Sequence, residues 1–239
     1  MSPARYGIDA PPALFGLISG AVLLIPGTIF TAVFAGWWAL WPGLLFVYFT
    51  VSAALYLHTT TRGKFAVWAE ILDGLALRGD EQVLDLGCGR GAVLIAVAKR
   101  LPDGHVTGAD RWRSVDQSGN APEVTAANAA AEGVADRVSL DTADMTALPY
   151  PDESFDLVVA SMAIHNIHPA RGRFIALDEA LRVLRTGGRL VIADITAARS
   201  YHSFLERRGL QPVTRPLGWR MWWGGPWLPT LLVTAVRSR

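Results

Sequence analysis

Asp85 sits inside a short apolar run, Val83 to Leu86, two residues ahead of Gly87; Gly89 and Gly91 follow at alternate positions, with Cys88 and Arg90 between them. A strand that ends in alternate glycines before a helix lets the backbone come close to a nucleotide-like ligand. The spacing lacks the longer second gap of the pyrophosphate-binding fingerprint. A carboxylate at Asp85 suits a ligand's ammonium and would repel a phosphate, which disfavours a nicotinamide cofactor and an oxidoreductase. Asp85 could instead cap the turn, but a buried strand-end carboxylate needs a partner. Asp110 closes the next apolar run, where an acid accepts hydrogen bonds from two ribose hydroxyls. Arg111 and Trp112 beside it could meet a base or an acceptor. Beyond the fourth apolar run lies Ser161-Met162-Ala163-Ile164-His165-Asn166-Ile167-His168. Here His165 could act as a general base and Asn166 could orient an acceptor, because histidine is readily tuned to proton transfer near neutral pH. A histidine ahead of a helix can equally hydrogen-bond backbone.

The elements that must position these groups alternate along the chain. Apolar residues at helical spacing run from Lys64 to Leu77. Strands are expected from near Gln82, at His105–Ala109, Val138–Leu140, Phe155–Ala160 and Arg189–Ile195. Helices are expected after Gly91 to about Arg100, from Asn120 with Glu123 as a capping box, at Arg171–Leu184 and near Tyr201–Arg208. Thr186-Gly187-Gly188 reads as a turn. Trp219–Trp223 and Leu231–Val236 could pair as a closing antiparallel hairpin. Alternating strands and helices predict an α/β fold, a doubly wound, mostly parallel sheet of seven strands.

Taken together, these residues resemble the class I S-adenosylmethionine-dependent methyltransferases. Asp85-Leu86-Gly87-Cys88-Gly89-Arg90-Gly91 resembles the family's first motif, Asp110 its ribose-binding acid, and Asp144-Met145 the pair that reads adenine. Phe155-Asp156 to Ser161 resembles the fourth motif, and Leu184 to Leu190 the turn before strand five. The resemblance spans about residues 65 to 239. It implies S-adenosylmethionine as cofactor, held by Asp85, Gly87, Cys88, Gly89, Gly91, Asp110, Arg111, Asp144, Met145 and Ser161, with His165 and Asn166 beside the reacting methyl. Cys88 is expected to contribute backbone rather than its thiol. No metal is implied.

The resemblance does not reach the N-terminal quarter. From residue 10 to residue 57 there is no Asp, Glu, Lys, Arg or His. One membrane crossing needs about 20 apolar residues, so this stretch accommodates two. The expected organisation is a tail at 1–12, a transmembrane helical hairpin at 13–57, a polar linker at 58–64 and the methyltransferase domain at 65–239. The crossings are expected at Ala13–Ala35 and Ala39–Leu57, joined through Gly36, Trp37, Trp38, Trp41 and Pro42; tryptophans favour the interface. A re-entrant hairpin is the alternative, since Pro26 lies within the first crossing. Arg5 precedes the hairpin, Arg62 and Lys64 follow it, and the turn has no cation, which puts both termini in the cytoplasm of a two-pass cell-membrane protein. A single cysteine suits a reducing compartment.

The net charge is +1, giving no reason to expect a nucleic-acid partner. The charge is unevenly spread: residues 161–239 carry 12 Arg against 4 Asp and Glu. That imbalance is either solvated helix faces or a contact with anionic lipid headgroups. The expected partners are the lipid bilayer and a lipid-soluble acceptor, a quinone-like ring or a phospholipid amine. A small soluble acceptor and a non-catalytic scaffold that merely binds S-adenosylmethionine are the alternatives.

Overall fold

The computed structural model describes residues 5–238; Met1 to Ala4 of the expected tail, and Arg239, lie outside them. Seven strands form one sheet: β1 Gln82–Leu86, β2 His105–Asp110, β3 Val138–Thr142, β4 Phe155–Ser161, β5 Leu184–Asp194, β6 Val213–Pro216 and β7 Leu231–Val236. Their order is β3-β2-β1-β4-β5-β7-β6. The first five run parallel, and β7 lies antiparallel to both β5 and β6.

The central strands are buried on both faces, which is why they read as unbroken apolar runs. Successive residues point to opposite sides. Leu84, Leu86, Val158, Ala160, Leu190 and Ile192 face one core with α6 Arg171–Val183 and α7 Ala198–Arg207. Val83, Leu157, Val159, Val191 and Ala193 face the other, beneath α3 Lys64–Gly74 and α4 Ala92–Ala98. Asp85 shares parity with Val83 and so sits on the α4 side. On either side of β1 the connections run in opposite directions, to β2 and to β4, which opens a crevice at the carboxyl ends of the strands.

Three local expectations are corrected. The helix α5 runs Pro122–Ala131 with Ala121 at its N-cap and no side-chain cap; Pro122 supplies a ready helical φ there, and the Asn120 amide turns instead to Asp110. Residues 186–188 lie within β5, where the pairing with β4 shifts register, rather than forming a separating turn. The strand that pairs with β7 is β6, Val213–Pro216, not the aromatic segment. Gly218, Gly224 and Gly225 all have positive φ, so residues 219–228 coil as a short 3-10 turn and loop. The tryptophans of that loop cover the N-terminal helices instead of joining the sheet.

Those helices, α1 Pro11–Phe34 and α2 Leu40–His58, form a hairpin around a 3-10 turn at Gly36–Ala39. At about 1.5 Å per residue they are about 36 and 28 Å long, and both are long and apolar enough to cross a membrane. Gly20 admits the Phe49 ring, which a Cβ there would approach to 2.8 Å.

The expected linker is instead helical. A π-helical turn at Thr59–Gly63 carries α2 directly into α3. It is buried where Thr59 donates to the Trp222 carbonyl (2.9 Å) and Thr60 to Asp9 Oδ2 (2.7 Å). At the base of the hairpin Leu14, Tyr56 and Trp223 make a small core of their own, with Tyr56 edge-on to Trp223. The hairpin is therefore packed on the domain rather than tethered to it.

Gly63 sits so close to the Arg220 carbonyl that a Cβ would overlap it. Gly63→Ala is expected to destabilise the protein in detergent micelles by about 1–3 kcal/mol, read as a lowered unfolding temperature. Gly74→Ala, with nothing near its Cβ, should leave that temperature unchanged or slightly raised.

Candidate active site

One cavity of about 800 Å³ opens at the carboxyl ends of the strands. That size is within the usual range for small-molecule sites, about 300–1,000 Å³. It is lined by Asp85, Gly87, Cys88, Gly89, Asp110, Arg111, Asp144, Met145, Ser161, His165 and Asn166. Of the residues singled out in the sequence for ligand contact, Gly91 and Trp112 stay away from it; the Trp112 indole donates to the Thr142 hydroxyl instead (2.9 Å). Gly91 has φ +86° at the start of α4, and a Cβ there would press on Ile95 and Thr125 at 3.1 Å, so it serves packing.

Asp85 is 1 % exposed, and neither of its carboxylate oxygens has a hydrogen-bond partner. Burial first, and the Asp110 carboxylate second, push its pKa up to about 8; the Leu94 amide opposes this without reaching hydrogen-bond geometry. An orphaned acid on a cavity wall fits a cationic group of a ligand. The glycine turn fits close approach. At Gly87, with φ +71°, a Cβ would overlap that of Ala163 across the crevice.

The turn's own amides are largely spent inside the protein. Gly87 N–H donates to the Ala109 carbonyl (2.7 Å), Gly89 N–H to Asp110 Oδ2 (2.8 Å) and Arg90 N–H to Gln117 Oε1 (2.8 Å). The glycines thus supply room more than hydrogen bonds. The Cys88 thiol packs against Gly108, and burial followed by the charges of Asp85 and Asp110 holds it well above the usual thiol range, so it is inert.

Asp110 also accepts from the Trp112 amide (2.6 Å), which locks the start of the following loop, where Trp112 itself has φ +56°. Asp144 accepts from the Thr146 amide (2.9 Å) and hydroxyl (2.8 Å), which hold its carboxyl below the ordinary value, and it pairs with Arg111 at 3.3 Å. Ser161 accepts from Trp68 Nε1 (2.9 Å), so its hydroxyl positions an α3 tryptophan at the cavity wall.

His165 follows Met162, whose φ of +54° is an unusual conformation for a side-chain-bearing residue and bends the chain across the crevice. Its Nδ1 lies 2.5 Å from Asp194 Oδ1. Asp194 is fully buried at the end of β5 and also accepts from the Tyr201 hydroxyl (3.0 Å), the His165 amide (3.1 Å) and the Ile195 amide (2.8 Å). With Nδ1–H held by this carboxylate, Nε2 is left as an acceptor, the arrangement of an oriented general base. Asn166 lies alongside, its amide 3.5 Å from the Met162 carbonyl.

Sequence reading missed Asp194 and Tyr201. The available signal was an acid at the carboxyl end of an apolar strand, the same signal that marked Asp85 and Asp110. It also missed the residues before and within the hairpin, Asp9, Ala10, Pro12, Ala13 and Tyr56, which line the same cavity. Asp9 pairs with the buried Lys64 at 2.6 Å and accepts from Gln117 at 2.8 Å. The segment ahead of α1 is thereby fixed to the loop that holds the glycine turn. No metal-binding cluster of His, Cys, Asp or Glu occurs among the described residues.

Comparison with known proteins bears on this site. A family described as "Methyltransferase domain" matches residues 83–188. The ubiquinone/menaquinone biosynthesis C-methyltransferase of Roseobacter denitrificans is 34% identical over 135 residues, 56% of this chain and 50% of that protein. The 27-O-demethylrifamycin SV methyltransferase of Amycolatopsis mediterranei is 39% identical over 122 residues, 50% of this chain and 40% of that protein. The chain thus matches about half or less of the length of these curated relatives. Among solved structures, geranyl diphosphate C-methyltransferase from Streptomyces coelicolor superposes with a TM-score of 0.58 at 17% identity, covering 72% of this chain and 77% of that one. At that identity the likeness is one of fold.

The raised pKa of Asp85 has a consequence for stability. The fold favours the protonated acid, so stability is lost as the pH rises from about 4 to about 8. Asp85→Asn, which mimics the neutral acid, is expected to unfold at a higher temperature than the parent at pH 8 and above. The difference, on the order of a few kcal/mol, should vanish below about pH 4; calorimetry across that range measures it.

Proposed function

We propose, from the premise that its α/β domain belongs to the S-adenosylmethionine-dependent methyltransferases, that this protein is a membrane-anchored methyltransferase acting on a lipid-soluble acceptor that loses a proton. One observation carries this reading: a single cavity is lined both by the orphaned Asp85 and by the first turn of the apolar hairpin. S-adenosylmethionine, when bound, supplies an electrophilic methyl on a sulfonium. The chain's residues account for the rest.

Asp85 in its ionised form meets the cofactor's ammonium, which removes the cost of burying an unpaired carboxylate. Asp110 and Asp144 lie on the cavity wall as acceptors for ribose and adenine groups, and Met145 and Arg111 flank them. His165 takes the acceptor's proton on Nε2 while Asp194, itself held by Tyr201, stabilises the resulting imidazolium. The apolar walls keep water from competing, and alignment of donor and acceptor in a dry site supplies much of the rate. Such a base suits an acceptor hydroxyl or a phenol-activated ring carbon, which favours a quinone-like ring over a phospholipid amine. The two relatives, a ubiquinone/menaquinone biosynthesis C-methyltransferase and a 27-O-demethylrifamycin SV methyltransferase, support both options.

The hairpin's lengths support two crossings. Arg5 and Arg62 flank it while its tip has no cation, which supports a cytoplasmic domain. Lys64 adds little to that bias, since Asp9 neutralises it.

Two experiments test the assignment. Calorimetric titration with S-adenosylhomocysteine should show binding that Asp85→Ala abolishes. Below about pH 8 the affinity should fall as Asp85 takes up its proton. At higher pH it should fall again once the ligand's α-amine, a free amino acid's and so more basic than a chain terminus, loses its own proton. A flat profile would remove Asp85 from the ammonium site. Secondly, labelled donor and a total lipid extract should yield a labelled lipid. His165→Gln should cut that turnover by about 10²–10⁴-fold and leave S-adenosylhomocysteine affinity unchanged. Undiminished turnover would mean that the acceptor needs no base.

A further inference from the structure

The cavity's mouth has an unusual rim. Five apolar residues both line the cavity and stand exposed: Pro12 and Ala13 in the first turn of α1, Val115 in the loop after β2 at 57 % exposure, and, just ahead of and within α6, Pro169 and Ile175, the latter at 47 %. Exposed apolar side chains from three separate elements around one opening are costly in water. Arg113 and Arg171 stand exposed on the same rim.

The position of this rim relative to the hairpin decides what it faces. Phe15, only three residues beyond Pro12, begins the run of exposed apolar side chains on α1, which ends at Phe34. That run measures about 28 Å along the helix axis at about 1.5 Å per residue, close to the hydrocarbon thickness of about 30 Å. Phe15 is 72 % exposed and Phe34 74 %. The apolar layer that covers this run must therefore begin within one helical turn of the cavity's mouth. Arginines at that level suit the phosphates of the headgroups. On the other flank the loop from Trp222 to Leu228 follows α2 outward until Trp227 packs on Tyr48 at 5.0 Å, and Leu228 of that loop lines the cavity too.

We infer that the mouth of the cavity is a lateral portal facing the bilayer, with the first turn of α1 as one of its walls, through which the tail of a membrane-resident acceptor enters. The inference deepens the reading above, on which it rests for what enters; which way the mouth faces is independent of the chemistry. The hairpin is then part of the acceptor site as well as an anchor. An acceptor's apolar tail remains among Pro12, Ala13, Val115 and Ile175 while its reactive ring reaches His165.

The test uses the full-length protein in vesicles of phosphatidylcholine and phosphatidylglycerol. Nitroxide labels are placed by Val115→Cys and Ile175→Cys, with Ile29→Cys on the hairpin and Asp136→Cys at the amino end of the sheet as references. Cys88 is buried and its thiol is held protonated, so it stays unlabelled. Labels at 115 and 175 are expected to collide severalfold more with oxygen than with a water-soluble nickel chelate, as at 29 and unlike 136. Values at 115 and 175 that match 136 while 29 stays oxygen-rich would overturn the portal alone. Water-like values at 29 as well would overturn the anchor and the portal together. S-adenosylhomocysteine binding, measured on the same samples, reports separately on the methyltransferase reading. In addition, a phospholipid with a diazirine at the end of one acyl chain should label the peptides containing residues 115 and 175; labelling confined to residues 15–51 overturns the portal.

Discussion

A carboxylate buried without a partner is among the more costly features a fold can hold, and Asp85 is one. Water cannot reach it, no donor satisfies it, and Asp110 adds repulsion. The rest of the site is arranged so that this cost persists until a ligand arrives. The sheet's central position fixes Asp85 at a strand end, Gly87 keeps the opposite wall within contact distance, and the turn's amides are occupied by Asp110 and Gln117 instead of Asp85. The protein thereby keeps one unsatisfied acid at the cavity and spends its other polar groups on holding the cradle's shape.

Asp194 is the counterpart. It is equally buried, yet two backbone amides, the Tyr201 phenol and the His165 ring satisfy it fully. One carboxylate waits for a partner from outside and the other orients a histidine from within. The two lie at the ends of β1 and β5, either side of the strand that leads to His165. That spacing is a property of the parallel sheet, whose carboxyl ends collect residues from distant parts of the chain.

The hairpin joins the site through packing rather than tethering. A π-helical turn transmits α2 into α3, and α3 carries Trp68, whose indole reaches Ser161. Ahead of α1, Asp9 meets Lys64, Thr60 and Gln117 together. Movement of the hairpin relative to the domain would disturb the loop that seats the glycine turn. An apolar hairpin and a polar cradle placed by the sheet therefore share one wall.

Much of this was legible in the chain itself. The alternation of apolar runs and amphipathic stretches identified the doubly wound sheet, because burial on both faces demands continuous apolar strands. Asp85, Gly87, Asp110 and His165 stood out by type and by their place at strand ends, whereas Asp144 was marked only by the family resemblance, because the local chain gives it no distinguishing turn or spacing. A long uncharged stretch is equally explicit, since its length accommodates two apolar helices and the turn between them. What the chain could not reveal were relations between segments distant in sequence: Asp194 behind His165, Asp9 against Lys64 and Gln117, Gly91 turned to packing, and the tryptophan loop wrapped on the hairpin instead of paired in the sheet. Those depend on which strand lies next to which and on how two hydrophobic bodies meet. Local residue preferences determined the parts of this protein; only tertiary packing decided that its apolar hairpin and its glycine cradle line the same cavity.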